Sequence, residues 1–330
     1  MIKATIRDVA REAQVSVASV SRALNGLTSV TPETRDRIRE VADRLGYVPH
    51  AGARSLSLSR TNVIGVVLPD LHGEFFSELV RGMDRATVAR GYQMLYSTMH
   101  ADPELARHAI LAMHGRVDGL IVMAPQLAPD RVATLLPPTT PAVLVNSPGL
   151  GLRDALRIDN RTGASTMMRH LVESGRRRIV HVTGPGDNID SVERRAGVEA
   201  GAAEAGGDVR LRVVEGDFQE SSGAEAVQRL LASGESFDAL FAANDAMALG
   251  ALWALRSAGL SVPEQVAVAG FDDIPLSRYL GLTTMHVPLD ELGGEAVSRL
   301  VARLAGAEVE QMETYVAPEL VVRETTGAKA

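Results

Sequence analysis

The 330-residue sequence contains no cysteine, which excludes disulfide scaffolds, thiolate metal sites, iron–sulfur clusters and cysteine nucleophiles. No apolar run approaches the roughly 18 residues that a membrane-spanning helix needs. The start of the chain, MIKATIRDVARE, lacks the apolar stretch of a signal peptide. We therefore expect a cytoplasmic protein with no membrane partner.

Sequence motifs of nucleotide-binding and metal sites are also missing. Gly184 and Gly186 follow a predicted strand, but no third glycine completes a G-x-G-x-x-G, and no G-x-x-x-x-G-K-[ST] occurs. The eight histidines show no metal-ligand spacing. We expect no cofactor and no metal, and we predict that the protein is not an enzyme.

The formal net charge is −7, which as a single number argues against a nucleic-acid partner. The charge is unevenly distributed, however. Residues 1–60 hold ten basic and six acidic side chains, a net charge of +4, which leaves −11 for the rest of the chain. A basic head on an acidic body is typical of a protein in which one small domain meets a polyanion.

The first 48 residues predict three short helices. Thr5 is a favourable N-cap for a helix near residues 5–13, and Ser16 is one for a second helix. Thr31, followed by a proline, begins a third helix that Gly46 ends. Two short helices joined by a tight turn, the second with small outward residues, are typical of a helix-turn-helix.

The run from Thr5 to Asn25, TIRDVAREAQVSVASVSRALN, resembles the DNA-binding signature of the lactose/galactose repressor (LacI/GalR) family, and the similarity extends along nearly the whole chain. The resemblance implies a nucleoid-associated transcriptional repressor that binds a pseudo-palindromic operator as a homodimer. Gln14 stands at a turn where the family usually has glycine, and we expect left-handed strain there. No heptad tail follows Arg323, which favours a dimer over a tetramer.

In this family the second helix enters the major groove, and the positions that choose bases match Val17 and Ala18, with Arg22 following. The two apolar side chains offer methyl contacts suited to thymine, whereas Arg22 is able to bind guanine O6 and N7 with two hydrogen bonds. The polar residues around them are expected to position phosphates or cap helices. With two hinge residues, the predicted DNA-binding set is Thr5, Ser16, Val17, Ala18, Ser19, Ser21, Arg22, Asn25, Ala53 and Leu56.

Residues 49–61 are rich in serine, alanine and glycine and predict a linker or a marginal helix. The family resemblance implies a hinge helix that forms only on the operator. An apolar side chain matching Leu56 would then wedge into the central minor groove and kink the DNA. Ala53 would lie on the same face and allow two symmetry-related hinge helices to approach closely, although Gly52 lowers the helix propensity.

From Val63 onward, short apolar runs that predict strands alternate with amphipathic stretches that predict helices. The predicted strands are Val63–Leu68, Gln93–Ser97, Gly119–Met123, Ala142–Val145, Ile179–Thr183, Val209–Glu215, Ala239–Ala243 and Val266–Ala269. The predicted helices lie near residues 75–90, 103–115, 162–174, 192–205, 221–232 and 245–258. Repeated βα units predict parallel sheets covered on both faces, and two such sets predict two lobes.

The predicted fold is therefore an all-α helix-turn-helix domain followed by a periplasmic-binding-protein-like α/β body of two doubly wound parallel-sheet lobes. The predicted boundaries are 1–48 for the DNA-binding domain, 49–61 for the hinge, 62–159 with 288–317 for the N-terminal lobe, and 160–287 with 318–330 for the C-terminal lobe. We expect the dimer surface mainly on the N-terminal lobe, at elements such as the helix near residues 75–90.

Ligands of such sheets bind at the carboxyl ends of the strands, where this sequence places carboxylates, amides, an arginine and aromatic rings. These groups suit a neutral polyol, because amides and carboxylates bind hydroxyls and a ring packs on the apolar face of a sugar. The positions that match ligand positions of the family are Phe75, Asn146, Asp190, Arg194, Phe218, Asn244, Asp272 and Leu289. Asp245 and Asp273 are predicted to be structural, capping the helices that follow them.

Three other functions are compatible with parts of this pattern. A purine or nucleoside effector is the alternative to a sugar, but the loop with Asn188 and Asp190 lacks an aromatic or cationic clamp for a base. Asp190 and Asp272 could also serve as glycosidase acids, yet sugar-binding sites use the same residues without chemistry. A solute-binding protein without a DNA role is disfavoured, because such proteins carry export signals and no DNA-binding head.

Overall fold

The computed structural model of the chain describes residues 4–25, 29–48, 60–100, 102–149, 151, 153–307 and 312–327. Two compact units are present, Met1–Val63 with Gly115–Asp118 and Ile64–His114 with Gly119–Ala330. The first is helical and the second is an α/β body, which confirms the predicted fold class. None of the helices in the described part of the chain is long and apolar enough to cross a membrane.

Among the described residues, the first unit contains the three helices α1 (Ile6–Glu12), α2 (Val17–Leu24) and α3 (Pro32–Arg44). Ser16 and Thr31 are N-caps as predicted, and each side-chain oxygen accepts a hydrogen bond from a backbone N–H of its helix. Val9, Val20 and Ile38, one from each helix, are fully buried in a shared core. Helix capping and this small core together account for the helix-turn-helix shape.

The turn between α1 and α2 has the backbone conformation that the sequence predicted. Gln14 has a φ of 54°, in the left-handed region that favours glycine. The turn closes through a hydrogen bond from Val15 N–H to the carbonyl of Ala10 (3.0 Å). A side chain at this φ carries a local strain that the surrounding turn must offset.

The first lobe of the body is built on a six-stranded sheet with the order β11-β5-β4-β3-β1-β2. Its strands are β1 (Val63–Leu68), β2 (Gln93–Thr98), β3 (Gly119–Met123), β4 (Ala142–Val145), β5 (Asp154–Ile158) and β11 (Glu313–Val316). Its helices are α4 (Glu74–Ala89), α5 (Pro103–Met113), α6 (Pro129–Leu135) and α12 (Leu289–Leu304). Strands β1, β3, β4, β5 and β11 pair in parallel, so their carboxyl ends share one edge.

The second lobe has a four-stranded parallel sheet with the order β7-β6-β8-β9. Its strands are β6 (Arg178–Thr183), β7 (Arg210–Glu215), β8 (Ala239–Ala242) and β9 (Ala267–Ala269), and an antiparallel pair adds β10 (Thr284–His286) and β12 (Glu319–Val321). Its helices are α7 (Asn160–Glu173), α8 (Ile189–Ala205), α9 (Glu220–Ala232), α10 (Asp245–Ser257) and α11 (Pro275–Tyr279).

Seven of these elements were not among the predicted ones: β5, β10, β11, β12, α6, α11 and α12. Strand β5 is buried yet includes Asp154 and Arg157, and these charges are neutralised by Arg303 and Glu313 from far along the chain. A short apolar run interrupted by charges does not predict a buried strand. Helix α12 packs closely on α4, where a Cβ at Gly82 would lie 1.8 Å from the carbonyl oxygen of Asp290.

Candidate functional site

Helix α2 presents a small-residue face to solvent on the first unit. Val17 is 42% exposed, and Ala18 and Arg22 are also exposed. Val20 and Ala23 are fully buried on the opposite face. The predicted base-reading side chains therefore lie on the exposed face of the second helix of a helix-turn-helix.

The predicted phosphate-positioning residues cap or brace this helix. The Ser16 hydroxyl accepts a hydrogen bond from Ser19 N–H (3.1 Å) and pairs with the Ser19 hydroxyl (2.9 Å), and Asn25 Nδ2 donates to Ser21 Oγ (3.4 Å). Thr5 begins α1, where its N–H and hydroxyl donate to one oxygen of Asp8 (3.0 and 2.7 Å). The two predicted hinge residues, Ala53 and Leu56, lie outside the described residues.

In the body, four of the predicted ligand residues meet where the two lobes face each other. Asn146 follows β4 of the first lobe, Asp190 and Arg194 lie on α8 of the second lobe, and Asp272 follows β9. Asn146 Nδ2 donates to Asp190 Oδ2 (3.2 Å), and Arg194 Nη2 lies 3.1 Å from Asp272 Oδ1. All four are buried, and we refer to them as the buried polar cluster.

Arg194 is fixed in this cluster by contacts on every side. Its Nε donates to Asn160 Oδ1 (2.8 Å), its Nη1 donates to the carbonyl of Ala243 (2.5 Å), and its guanidinium lies over the Phe271 ring at 3.8 Å. Asn160 also donates to Asp190 Oδ1 (2.8 Å). Asn160 is not among the predicted ligand residues, because it begins the helix after β5, a strand that the sequence pattern does not predict.

The carboxyl groups of the cluster carry raised pKa values. Burial raises the pKa of Asp272 to about 7, with Arg194 opposing the shift and Asp190 adding to it. Burial also raises the pKa of Asp190, against the opposing charge of Arg194. One buried guanidinium thus faces two buried carboxyl groups, and the local balance is acidic.

Two oxygen atoms of the cluster are left without hydrogen-bond donors. Asn146 Oδ1 and Asp272 Oδ1 are both buried, and neither has a hydrogen-bond partner. The contact between Arg194 and Asp272 is an ion pair whose geometry is not aligned for a hydrogen bond. Buried acceptors without donors are costly, so these two oxygens favour a ligand that donates hydrogen bonds to them.

Backbone strain coincides with the predicted ligand residues. Asn146, Phe218 and Asp272 have φ values of 46°, 71° and 112°. Residues held in such conformations cluster at ligand sites, where the surrounding structure enforces them. At three of the eight predicted positions, the surrounding fold therefore imposes a backbone conformation that the residue does not adopt readily on its own.

The remaining predicted residues make other contacts. The Phe218 ring lies against Gly184, where a Cβ would come within 2.2 Å of it. Asn244 caps α10 through Oδ1 and donates from Nδ2 to the carbonyl of Phe218 (3.0 Å), so both ends of its amide are engaged. Phe75 is half-buried and packs edge-on against Phe76, whereas Leu289 is 4% exposed and belongs to the hydrophobic core.

The predicted capping roles of Asp245 and Asp273 are wrong, because Asn244 and Ile274 occupy the N-cap positions of α10 and α11. Both carboxylates are structural in another way. Asp245 is fully buried and accepts hydrogen bonds from Ile274 N–H (3.0 Å), Ser277 Oγ (2.6 Å) and Thr284 Oγ1 (2.5 Å). Burial raises its pKa to about 8. Asp273 pairs with Arg323 (2.7 Å) and His286 (3.0 Å).

A second charged network, also missed from the sequence, adjoins the buried polar cluster. Arg157 on β5 pairs with Glu313 on β11 (3.0 Å) and with Glu193 on α8. Asn160 donates to Glu193 (3.3 Å) as well as to Asp190. Arg157 and Asn160 therefore connect the first sheet to the helix that holds Asp190 and Arg194.

Known families match both parts of the chain. Bacterial regulatory proteins of the lacI family match residues 5–50, and the periplasmic binding protein-like domain matches residues 168–326. The ribose operon repressor of Escherichia coli (strain K12) is 34% identical over 326 residues, covering 97% of this chain and 99% of its own. The HTH-type transcriptional repressor PurR of Aliivibrio fischeri (strain MJ11) is also 34% identical, over 329 residues and 97% of each chain.

Solved structures agree with these relationships. The Lac repressor dimer bound to operator and the anti-inducer ONPF superposes with a TM-score of 0.88 at 27% identity, covering 98% of this chain and 99% of that one. A complex of the transcriptional regulator CelR with cellobiose is 30% identical with a TM-score of 0.72, at the same coverage of 98% and 99%. Both similarities span the helical unit as well as the body.

Proposed function

Because the chain belongs to the LacI family of bacterial regulatory proteins, it is a DNA-binding transcriptional regulator, and we propose that an uncharged sugar in the buried polar cluster controls its affinity for operator DNA. The observation that carries this proposal is the pair of buried acceptors without hydrogen-bond donors, Asn146 Oδ1 and Asp272 Oδ1. Vicinal hydroxyls of a sugar supply donors to both atoms.

The charge balance of the cluster argues for an uncharged effector. Arg194 is held by Asn160, Ala243 and Asp272, so it has little capacity left to neutralise a phosphate or a carboxylate. An anionic ligand would also meet the buried carboxyl groups of Asp190 and Asp272, which repel it. The names of the ribose repressor and of the CelR–cellobiose complex support a sugar, and the name of PurR keeps a purine as the alternative.

The contact with DNA is proposed for the exposed face of α2. Arg22 would bind a guanine in the major groove, with Val17 and Ala18 against thymine methyl groups. Ala53 and Leu56 would act in the minor groove through the hinge. The basic charge of the head supports binding to the phosphate backbone, and the acidic body disfavours side-on binding.

Exposed apolar side chains support a homodimer. Val88 on α4 is 64% exposed, and Leu95 and Tyr96 lie exposed on β2, the edge strand of the first sheet. On the second lobe, Trp253 is 63% and Tyr279 is 82% exposed. A two-fold operator requires a two-fold protein, so a second copy of the chain is expected. Because exposed apolar side chains lie on both lobes, we propose that the second copy covers residues of both, not of the first lobe alone.

The proposed site of action is the cytoplasm, at the nucleoid, where operator DNA lies. The cluster is proposed to bind its ligand without catalysis, although it contains two carboxyl groups. The names of the relatives, which are those of repressors and regulators, support a binding role.

Calorimetry of the full chain against a panel of neutral sugars, phosphorylated sugars, nucleosides and purines tests the effector class. At pH 8, above the pKa of Asp272, we expect a neutral sugar to bind, and Asp272→Asn to weaken this binding at least tenfold because a charged hydrogen-bond acceptor is lost. Asp208→Asn, an exposed position just before β7, is the matched control and should bind like the native chain. Binding of a purine without binding of any sugar would show that the effector is a purine and that the proposal of a sugar is wrong.

A further inference from the structure

A cavity of about 240 Å³ lies at the end of the first sheet opposite the buried polar cluster. Ala142 begins β4 there and Arg153 directly precedes β5, whereas Asn146 follows the carboxyl end of β4. Arg303, in the last turn of α12, closes another side. The cavity is lined by Pro138, Thr139, Thr140, Pro141, Ala142, Arg153, Arg303 and Ala307.

Two arginines line this cavity, and no acidic side chain is among its lining residues in the described part of the chain. Arg153 is anchored by Nη1 to the carbonyl of Thr140 (3.0 Å) and by Nη2 to the carbonyl of Pro137 (2.9 Å). Backbone carbonyls orient a guanidinium without cancelling its charge. The Arg153 cation is thus held in place, and no carboxylate among the described residues forms an ion pair with it.

Arg303 is only partly satisfied. Its Nε donates to Asp154, and its Nη2 is buried without a hydrogen-bond partner. Asp154 also accepts a hydrogen bond from Met312 N–H (3.0 Å), so this single carboxylate serves two donors. Burial lowers the pKa of Arg153, and the nearby positive charge of Arg303 lowers it further.

We propose that this cavity binds a small oxyanion of the phosphate class between Arg153 and Arg303. Two guanidinium groups match the geometry and charge of a phosphate, because each N–H donor is able to bind one of its oxygens. The anion would occupy the donor at Arg303 Nη2 and offset the repulsion between the arginines. The cavity is smaller than the roughly 300–1,000 Å³ of sites for drug-sized ligands, which favours a small ion or a single phosphoryl group.

Isothermal titration of the full chain with inorganic phosphate, at constant ionic strength set by chloride, tests the proposal. Arg303→Gln should weaken phosphate binding about tenfold or more, because a charged donor is removed. Arg299→Gln is the matched control, since Arg299 lies one turn earlier on α12, is similarly buried, and pairs with Glu295 and Thr314 rather than lining the cavity. A parallel titration with phenyl phosphate distinguishes a free ion from an esterified phosphoryl group.

A second variant keeps the test decisive if Arg303→Gln folds poorly. Ala307 is exposed at the cavity, and Ala307→Glu would place a carboxylate at its mouth without removing an internal contact. We expect Ala307→Glu to abolish phosphate binding, and Asp208→Asn, at an exposed position of the second lobe, to leave it unchanged. Equal phosphate affinity in the native chain, Arg303→Gln and Ala307→Glu would overturn the proposal, as would no measurable binding to the native chain.

Discussion

Replacing Asp272 by asparagine is expected to stabilise the protein at pH 8, although it removes one partner of a buried ion pair. The pKa of the Asp272 carboxyl group rises from its ordinary value of 3.8 to about 7, even with Arg194 beside it. Its attraction to Arg194 therefore does not repay the cost of burial and the repulsion from Asp190. The ionised side chain is a net burden on the native state.

The raised pKa fixes how this burden depends on pH. Between about pH 4 and pH 7, the native state keeps the Asp272 proton that the unfolded state has already released. The stability that the protonated side chain allows is therefore fully present below about pH 4. It is lost as the pH rises toward 7. Above pH 7 this cost is on the order of a few kcal/mol. Asparagine is uncharged and of the same size, so it avoids this cost.

Thermal unfolding of the full chain at one fixed protein concentration, at pH 5 and pH 8, measures the effect. We expect Asp272→Asn to melt at about the native temperature at pH 5 and several degrees higher at pH 8, at roughly 2–4 °C per kcal/mol for a domain of this size. The neighbouring Asp273→Asn should lower the melting temperature at both pH values, because Asp273 pairs with Arg323 and His286. If Asp272→Asn melts lower than the native chain at pH 8, the reasoning from burial is wrong.

Three other predictions follow from the first unit and the proposed dimer. Arg22→Ala should weaken binding to a selected operator by about 1–3 kcal/mol and relax the preference at one base pair. The control variant Arg11→Ala on α1 should keep that preference. Gel retardation with single-base operator variants compares the two proteins. Gln14→Gly should stabilise the helical unit by up to about 1 kcal/mol, because glycine adopts the φ of 54° without strain. Circular dichroism at 222 nm measures the resulting rise in the melting temperature of this unit. Trp253 is the single tryptophan, so dilution that dissociates a dimer should shift its emission to longer wavelength, and unchanged emission across dissociation would place Trp253 outside the interface.

The helical unit was predicted almost residue by residue because its signals are local. Ser16, Thr31 and Gly46 each act within one turn of a helix, and the strain at Gln14 follows from a single residue in a tight turn. Strands such as Val63–Leu68 were equally clear, because a continuous apolar run is buried on both faces of a parallel sheet.

The parts that the sequence did not reveal depend on contacts between distant residues. Strand β5 includes Arg157, whose burial depends on partners far along the chain such as Glu193 and Glu313. The ligand residues Asn146 and Asp272 were found because polar groups just after strands share one edge of a sheet. Their oxygens without hydrogen-bond donors, and the role of Asn160 in holding Arg194, depend on three-dimensional geometry that no spacing in the sequence encodes.

The most direct test of the account is whether ligand binding in the cluster changes operator affinity. The fluorescence anisotropy of a labelled, selected operator gives its Kd for the native chain and for Asp272→Asn, with and without the sugar identified by calorimetry. We expect the sugar to change the operator Kd of the native chain by about 5- to 150-fold. The Asp272→Asn variant should bind the operator as the native chain does without sugar, and should not respond. A sugar that binds the native chain but leaves its operator Kd unchanged would contradict the account.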